Sequence, residues 1–236
     1  MSVFARLGQF VSVATTGAIS GVIEAVRTVF EGDPETRRRV AFSVAMIALS
    51  AKMAKADGIV TPDEVAAFQE IFEIPDKEAR NVARLYNLAK QDVAGFETYA
   101  AKMADLCNSS GNNGLFLEDI LDGLFHIAKA DGVLHDKERN FLGRIAEIFQ
   151  ISEASFEQIT ARHTYETNHD PYAVLGLARA TPLDEIKKHY RRLVAEAHPD
   201  RLMARGVPEE FLAIANSRMA ALNTAFAEIE KEKRPA

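Results

Sequence analysis

The sequence predicts an all-α protein in which a larger helical domain is followed by a small antiparallel helix hairpin. Three observations carry that expectation. Apolar residues recur at three- and four-residue spacing, as with Ile186, Tyr190, Leu193 and Ala197, which share one side of a helix. Helix-start signals recur as well: Asp33-Pro34-Glu35, Asp170-Pro171 and Thr181-Pro182-Leu183-Asp184 each set a capping residue before a proline. No stretch alternates apolar and polar residues as a half-buried strand does.

With 236 residues the chain is long enough for one large or two small domains, each with its own core. A composition 47% hydrophobic and 26% charged excludes wholesale disorder. The single cysteine, Cys107, excludes an intramolecular disulfide framework and a multi-cysteine zinc site. It reads as a small buried hydrophobe in a reducing, cytoplasmic protein. The net charge of −6 is unevenly placed: from residue 170 onward 11 Lys and Arg face 10 Asp and Glu, so the acidity lies upstream. That balance argues against nucleic acid as a partner.

Residues 1–32 form a segment of their own. Leu7 to Ile23 carry no charge, but Gln9, Ser12, Thr15, Thr16 and Ser20 interrupt them and Glu24 and Arg27 end them. This falls short of the roughly 20 predominantly apolar residues of a helical span. With Arg6 as the only early positive charge and no dense apolar run after it, a signal peptide is not expected either. Phe4, Leu7, Val11, Ala14, Ala18, Val22, Val26 and Val29 fall on one stripe. The expectation is an amphipathic helix docked on the protein or a partner subunit, with attachment to a membrane surface as the alternative.

Residues 33–163 read as a helical domain with an internal repeat. Ala54-Lys55-Ala56-Asp57-Gly58-Ile59-Val60-Thr61-Pro62-Asp63-Glu64 returns 74 residues later as Ala128-Lys129-Ala130-Asp131-Gly132-Val133-Leu134-His135-Asp136-Lys137-Glu138. Each copy follows one apolar helical run and precedes another, Val65 to Phe72 and Phe141 to Phe149. Gly58 and Gly132 suit a left-handed helix end, and Thr61-Pro62-Asp63-Glu64 is a capping box. Pro75-Asp76 and the polar run from Asn108 to Gly114 separate further helices.

The twin Asp-Gly turns invite comparison with a calcium loop. Placing Gly58 or Gly132 at that loop's glycine puts Met53 and Lys55, or Ile127 and Lys129, at the first and third ligand positions. Neither an apolar side chain nor a lysine ligates calcium, which excludes an EF-hand. The unit instead resembles a TerB-like domain, the all-helical module named for tellurite resistance. That resemblance implies acidic metal ligands, for which the matching residues are Asp57, Asp63, Glu64, Asp131, Asp136 and Glu138. The simpler and favoured reading makes these residues helix caps and partners of Lys55 and Lys129. No metal is assigned firmly and no cofactor is expected. His126, among Leu124, Phe125 and Ile127, reads as packed, and His135 occupies the place of the cap Thr61. His163 and His169 flank a polar hinge, with 164–169 as the linker. No nucleophile with a neighbouring base and no glycine-rich phosphate loop is present, so the chain is not expected to be an enzyme.

In residues 170–236, Tyr190, Leu193, Leu175 and Leu177 are expected to pack on a stripe of Phe211, Ile214 or Ala215, Met219, Leu222, Phe226 and Ile229 from a helix spanning Glu209 to Lys231. Lys187, Lys188, Arg191 and Arg192 gather on the opposite side of the preceding helix, which ends at Ala197-His198-Pro199-Asp200-Arg201. Asp170-Pro171-Tyr172 with Leu175-Gly176, then Tyr190-Arg191-Arg192-Leu193, His198-Pro199-Asp200 and Leu222-Asn223-Thr224-Ala225-Phe226 follow in an order that resembles a J domain. The long connection from Arg201 to Glu210 resembles the DjlA type, whose membrane-anchored members carry a span where this chain has its interrupted N-terminal stretch.

The resemblance implies a co-chaperone that stimulates ATP hydrolysis by an Hsp70 of the DnaK type. It makes His198, Pro199 and Asp200 the essential turn and Lys187, Lys188, Arg191 and Arg192 the docking face. The TerB-like module would serve an unidentified client, targeting or self-association as a homodimer. A metal-binding stress-response protein is the alternative. Two departures stand out: His189 replaces a common alanine, and Glu196-Ala197 replaces a basic-aromatic pair. No glycine/phenylalanine-rich or cysteine-rich region is present.

Overall fold

In a computed structural model of the chain, which describes residues 33–57, 68, 72, 74, 76–91, 95–108, 114–129, 133–165 and 169–234, every residue from Val40 to Met53 is buried. They belong to helix α1 (Pro34–Asp57), whose start is capped by Asp33, its Oδ1 accepting from the Thr36 N–H at 3.0 Å. A helix apolar on all sides must be enclosed by others. Helices α2 (Asp76–Gln91), α3 (Phe96–Asn108), α4 (Gly114–Ala128) and α5 (Asp136–Ile148) all contact α1. The polar groups carried inside are accommodated locally: Ser43 Oγ donates to the Arg39 carbonyl at 3.1 Å, and the buried Lys52 places Nζ 4.8 Å from the Tyr99 ring centre.

Helix α6 (Glu153–His163) completes the first domain, capped by Ser152, whose Oγ accepts from the Ser155 N–H at 3.1 Å. Helices start and end where the sequence places them, one starting at Asp76, one ending at Asn108 and the next starting at Gly114. Among the described residues there is no strand. Residues 1–32, the first Asp-Gly turn with Thr61-Pro62-Asp63-Glu64, Asp131-Gly132, and the side chains of Asp57 and Cys107 lie outside the described residues.

The second domain opens with α7 (Pro171–Leu175), capped by Asp170, whose Oδ1 accepts from the Tyr172 N–H at 3.1 Å, and closed by Gly176 at φ 65°. Helix α8 (Leu183–Ala197) starts one residue later than a cap-then-proline reading places it. Pro182 stands at the cap position, and its carbonyl accepts from the Ile186 N–H at 3.0 Å. The expected long connection is largely ordered: α9 (Pro199–Arg205) ends at Gly206, φ 106°, and a 3-10 turn (Glu209–Phe211) precedes α10 (Ala213–Lys233). The partner helix therefore begins at Ala213 and not at Glu209.

The apolar stripe of this last stretch divides between two cores. Leu222, Ala225 and Ile229 pack with Tyr172, Val174, Leu175, Ile186 and Ala197. Leu202, Val207, Phe211, Ile214 and Ala215 are instead part of the first domain's core. The Phe211 ring centre lies 5.1 Å from that of Phe42 and 4.8 Å from that of Phe72. The cause is a mismatch of lengths. Helix α10 has 21 residues and α8 has 15, so Ile214 and Ala215 at the start of α10 extend past α8 and bury against α4, while Phe211 enters the same core from the 3-10 turn. Gly123 on α4 allows this approach, since a β-carbon there would lie 2.8 Å from both Ile214 Cδ1 and Met46 Cε.

Candidate functional site

Helix α8 has two working faces. Its inner side is fixed to α10 by Ile186 and by Tyr190, whose ring stacks on Phe226 at 4.1 Å while its hydroxyl donates to Asn223 Oδ1 at 2.8 Å. Its outer side carries Lys188, Arg191 and Arg192, all exposed, and the half-buried Lys187, whose Nζ is 3.6 Å from Glu230. Lys188, Arg191 and Arg192 thus occupy one accessible side, with Lys187 at its edge toward α10. Arg192 also lies 3.7 Å from Glu196, which offsets part of its charge.

His198 ends α8 and caps α9. Its Nδ1 accepts from the Asp200 N–H at 3.2 Å, which assigns the proton of the neutral ring to Nε2. Pro199 occupies the first position of α9, where its fixed φ and missing N–H suit a helix start. The result is a rigid corner with its polar groups outward: the side chains of His198 and Asp200 are 50% and 79% exposed. An exposed carboxylate next to a basic helix face, neither buried by its own domain, is equipped to meet a cation on another protein.

His189 has a local task. Its Nε2–H donates to the Leu175 carbonyl at 2.9 Å, tying α8 to the end of α7, and Nδ1 accepts from Arg192 Nη2 at 3.1 Å. The departure from alanine therefore orients one of the four basic residues.

Beneath the turn lies a buried charge cluster. Asp119 and Asp122 of α4 are 0% and 1% exposed. Arg205 donates from Nε and Nη2 to Asp119 at 2.6 and 2.9 Å, and from Nη1 to the Glu196 carbonyl at 3.1 Å. Arg218 of α10 reaches both carboxylates, from Nη1 to Asp119 at 2.9 Å and from Nε to Asp122 at 2.8 Å. Arg162 and His163 at the end of α6 contact Asp122 Oδ1 at 3.1 and 2.9 Å, with the His163 ring stacked on Phe125. Burial by itself raises the Asp122 carboxyl, but Arg218, Arg162 and His163 outweigh it and hold the group well below the usual carboxylate range. The same two carboxylates raise the Arg218 guanidinium against the opposing effect of its burial.

Comparison with known proteins fits this arrangement. A family model for tellurite resistance protein TerB matches residues 43–161, and one for the DnaJ domain matches residues 170–230. Co-chaperone protein DjlA of Photobacterium profundum is 30% identical over 222 residues, which cover 83% of this chain and 79% of that protein. The chain belongs to the DjlA family of co-chaperones. Further relatives of the same name are those of Coxiella burnetii, 28% identical over 76% of this chain and 73% of that one, and of Vibrio cholerae, 25% identical over 86% and 81%. No solved structure matches the chain.

In this DjlA-family chain the two described acidic residues after the second turn stand in the first turn of α5. Glu138 Oε2 accepts from the His135 N–H at 2.9 Å at the start of α5, and Asp136 stands exposed on the same first turn. Asp63, Glu64, Asp131 and the Asp57 side chain lie outside the described residues. Among the described residues no group of three or more His, Cys, Asp or Glu is placed to hold a metal. His126 is half-buried beside Phe72, as its neighbours in sequence suggest, and its pKa is lowered, chiefly by burial. His163 is different: expected at the edge of a hinge, it is buried in the charge cluster. The sequence signal for that cluster was the pair Asp119 and Asp122, three apart within the apolar run from Leu115 to Ile127.

Proposed function

We propose that this chain stimulates ATP hydrolysis by an Hsp70 of the DnaK type and breaks no bond itself. The observation that carries the reading is the rigid, outward His198-Pro199-Asp200 corner at the end of a helix whose free side is basic. Lys187, Lys188, Arg191 and Arg192 steer the domain to an acidic surface of the partner, which raises the encounter rate. Asp200 then pairs with a cation on Hsp70 in a charge-assisted contact, and its differential affinity for two Hsp70 states shifts the partner toward hydrolysis.

The first domain serves as the recruiting half, for a client protein, a location or a second copy. It is fixed to the J domain by a shared apolar core and by the Asp119–Asp122 cluster, so whatever it binds is presented to Hsp70 at a set orientation. The site of action is the cytoplasm, where DnaK-type partners and reducing conditions suit a chain with one cysteine. No helix among the described residues is long and apolar enough to cross a membrane.

The docking half of this reading is tested by titrating Hsp70 with the wild type and with a Lys188→Ala/Arg191→Ala double variant at two salt concentrations. The expected result is weaker half-saturation in the variant with a shallower salt dependence, because two screened charges have been removed. An unchanged titration curve would remove the basic face from the docking surface.

A further inference from the structure

Between the two domains, beside the His198-Pro199-Asp200 corner, lies an open groove of about 520 Å³. The J domain supplies Arg192, Glu196, Arg201 and Arg205 to its walls, and the first domain supplies Arg38 from α1 and Leu115 from the start of α4. Four guanidinium groups stand against the Glu196 carboxylate and, beneath Arg205, that of Asp119, which leaves the groove basic. Its floor is fixed, because Arg205 is held by Asp119 and by the Glu196 carbonyl. Its two sides are also in close register: Gly206 approaches α1 so closely that a β-carbon there would lie 2.5 Å from Cβ of Arg38. Leu115 is one of few large apolar side chains exposed among the described residues, at 40%.

From this juxtaposition we propose that the first domain takes part in docking, with Arg38 and Leu115 extending the J-domain surface so that an acidic face of Hsp70 seats in the groove. This rests on the reading of the chain as an Hsp70 co-chaperone and adds a composite docking surface to it. Charge complementarity selects the occupant. The groove continues the basic side of α8 through Arg192 and Arg201, so a partner held acidic-side down on α8 brings the same surface over Arg38, while Leu115 offers it an apolar contact at the rim. The docking surface is then larger than the J domain alone provides, and only a J domain fixed to this first domain possesses it.

The test titrates a bacterial Hsp70 in single-turnover ATP hydrolysis with the full chain and three variants, Leu115→Glu, Leu115→Lys and Arg38→Glu, with matched thermal unfolding of each. Leu115→Glu and Arg38→Glu should raise the half-saturating concentration at least about threefold while the plateau rate is kept, and Leu115→Lys should leave it unchanged or lower it. If wild type stimulates and the two acidic variants, folded as wild type, titrate identically to it, the groove is no part of the docking surface and this inference falls while the co-chaperone reading stands. If wild type gives no stimulation, both fall together.

Discussion

Arg205 grips Asp119 through two hydrogen bonds, at 2.6 and 2.9 Å, and with its remaining nitrogen holds the carbonyl of Glu196, two residues before His198. One side chain thereby connects the helix end that supports the candidate site to a buried carboxylate of the other domain. Removing one member of such a pair leaves an unpaired charge out of water. Asp119→Ala is expected to destabilise the protein by about 3–5 kcal/mol, read from urea unfolding. Amide hydrogen exchange between Asp200 and Phe211 should rise in the same variant, since these residues would lose their anchor. A loss under about 1 kcal/mol would mean that the cluster contributes little beyond what water would offer its members.

Phe211 belongs to the J domain by sequence and to the first domain by packing. Phe211→Ala is expected to cost about 3–5 kcal/mol, as large aromatic truncations in a core do. The loss should appear in the unfolding of the first domain, monitored at α1–α4, and not only in the hairpin. Were the hairpin alone to melt earlier, the contacts of Phe211 with Phe42 and Phe72 would be energetically idle.

Acid should weaken the domain junction with a definite sign. The folded Asp122 carboxyl titrates well below its usual range, so as pH falls the unfolded chain takes up that proton first. Its contribution is complete above about pH 5 and is lost as pH falls through about 4 toward the folded value. His126, lowered chiefly by burial, acts in the same direction from about pH 6.5 downward. Equilibrium unfolding of wild type and Asp122→Asn between pH 7 and 3 checks this: the stability gap should be widest at neutral pH and close toward acid. A gap independent of pH would show that Asp122 is not the titrating group.

His189→Ala restores the residue common in J domains and removes the bond to the Leu175 carbonyl. A loss of about 1 kcal/mol is expected from thermal or urea unfolding, the usual size for one hydrogen bond. Stimulation of Hsp70 should persist with a somewhat higher half-saturating concentration, since Arg192 keeps its charge and loses only the His189 Nδ1 contact that orients it. Complete loss of stimulation would assign His189 a direct part in docking.

Much of this was legible in the sequence because it is written in local chemistry. Caps, prolines and spacing identified α1, α7 and α8, and the order of short motifs placed the His198-Pro199-Asp200 corner with the basic residues on one side. The junction was not legible, because its contacts join residues from about 40 to about 170 positions apart along the chain. Phe211 and Ile214 look in sequence like members of one stripe, yet Phe211 enters the other core from the 3-10 turn and Ile214 from the first turn of α10. His163 reads as polar and flanks a polar run, yet Asp122, 41 residues earlier, draws it inward. Asp119 and Asp122, with Glu118 beside them, were the one hint, carboxylates within an apolar helical run that demand partners.

The outward corner of His198, Pro199 and Asp200 is proposed to act on Hsp70. Single-turnover ATP hydrolysis by a bacterial Hsp70, with and without this protein and with His198→Gln and Asp200→Asn, tests it most directly. Stimulation by wild type that is lost in both variants, with their thermal unfolding unchanged, is the predicted result. Equal stimulation by all three, or none by a folded wild type, would contradict it.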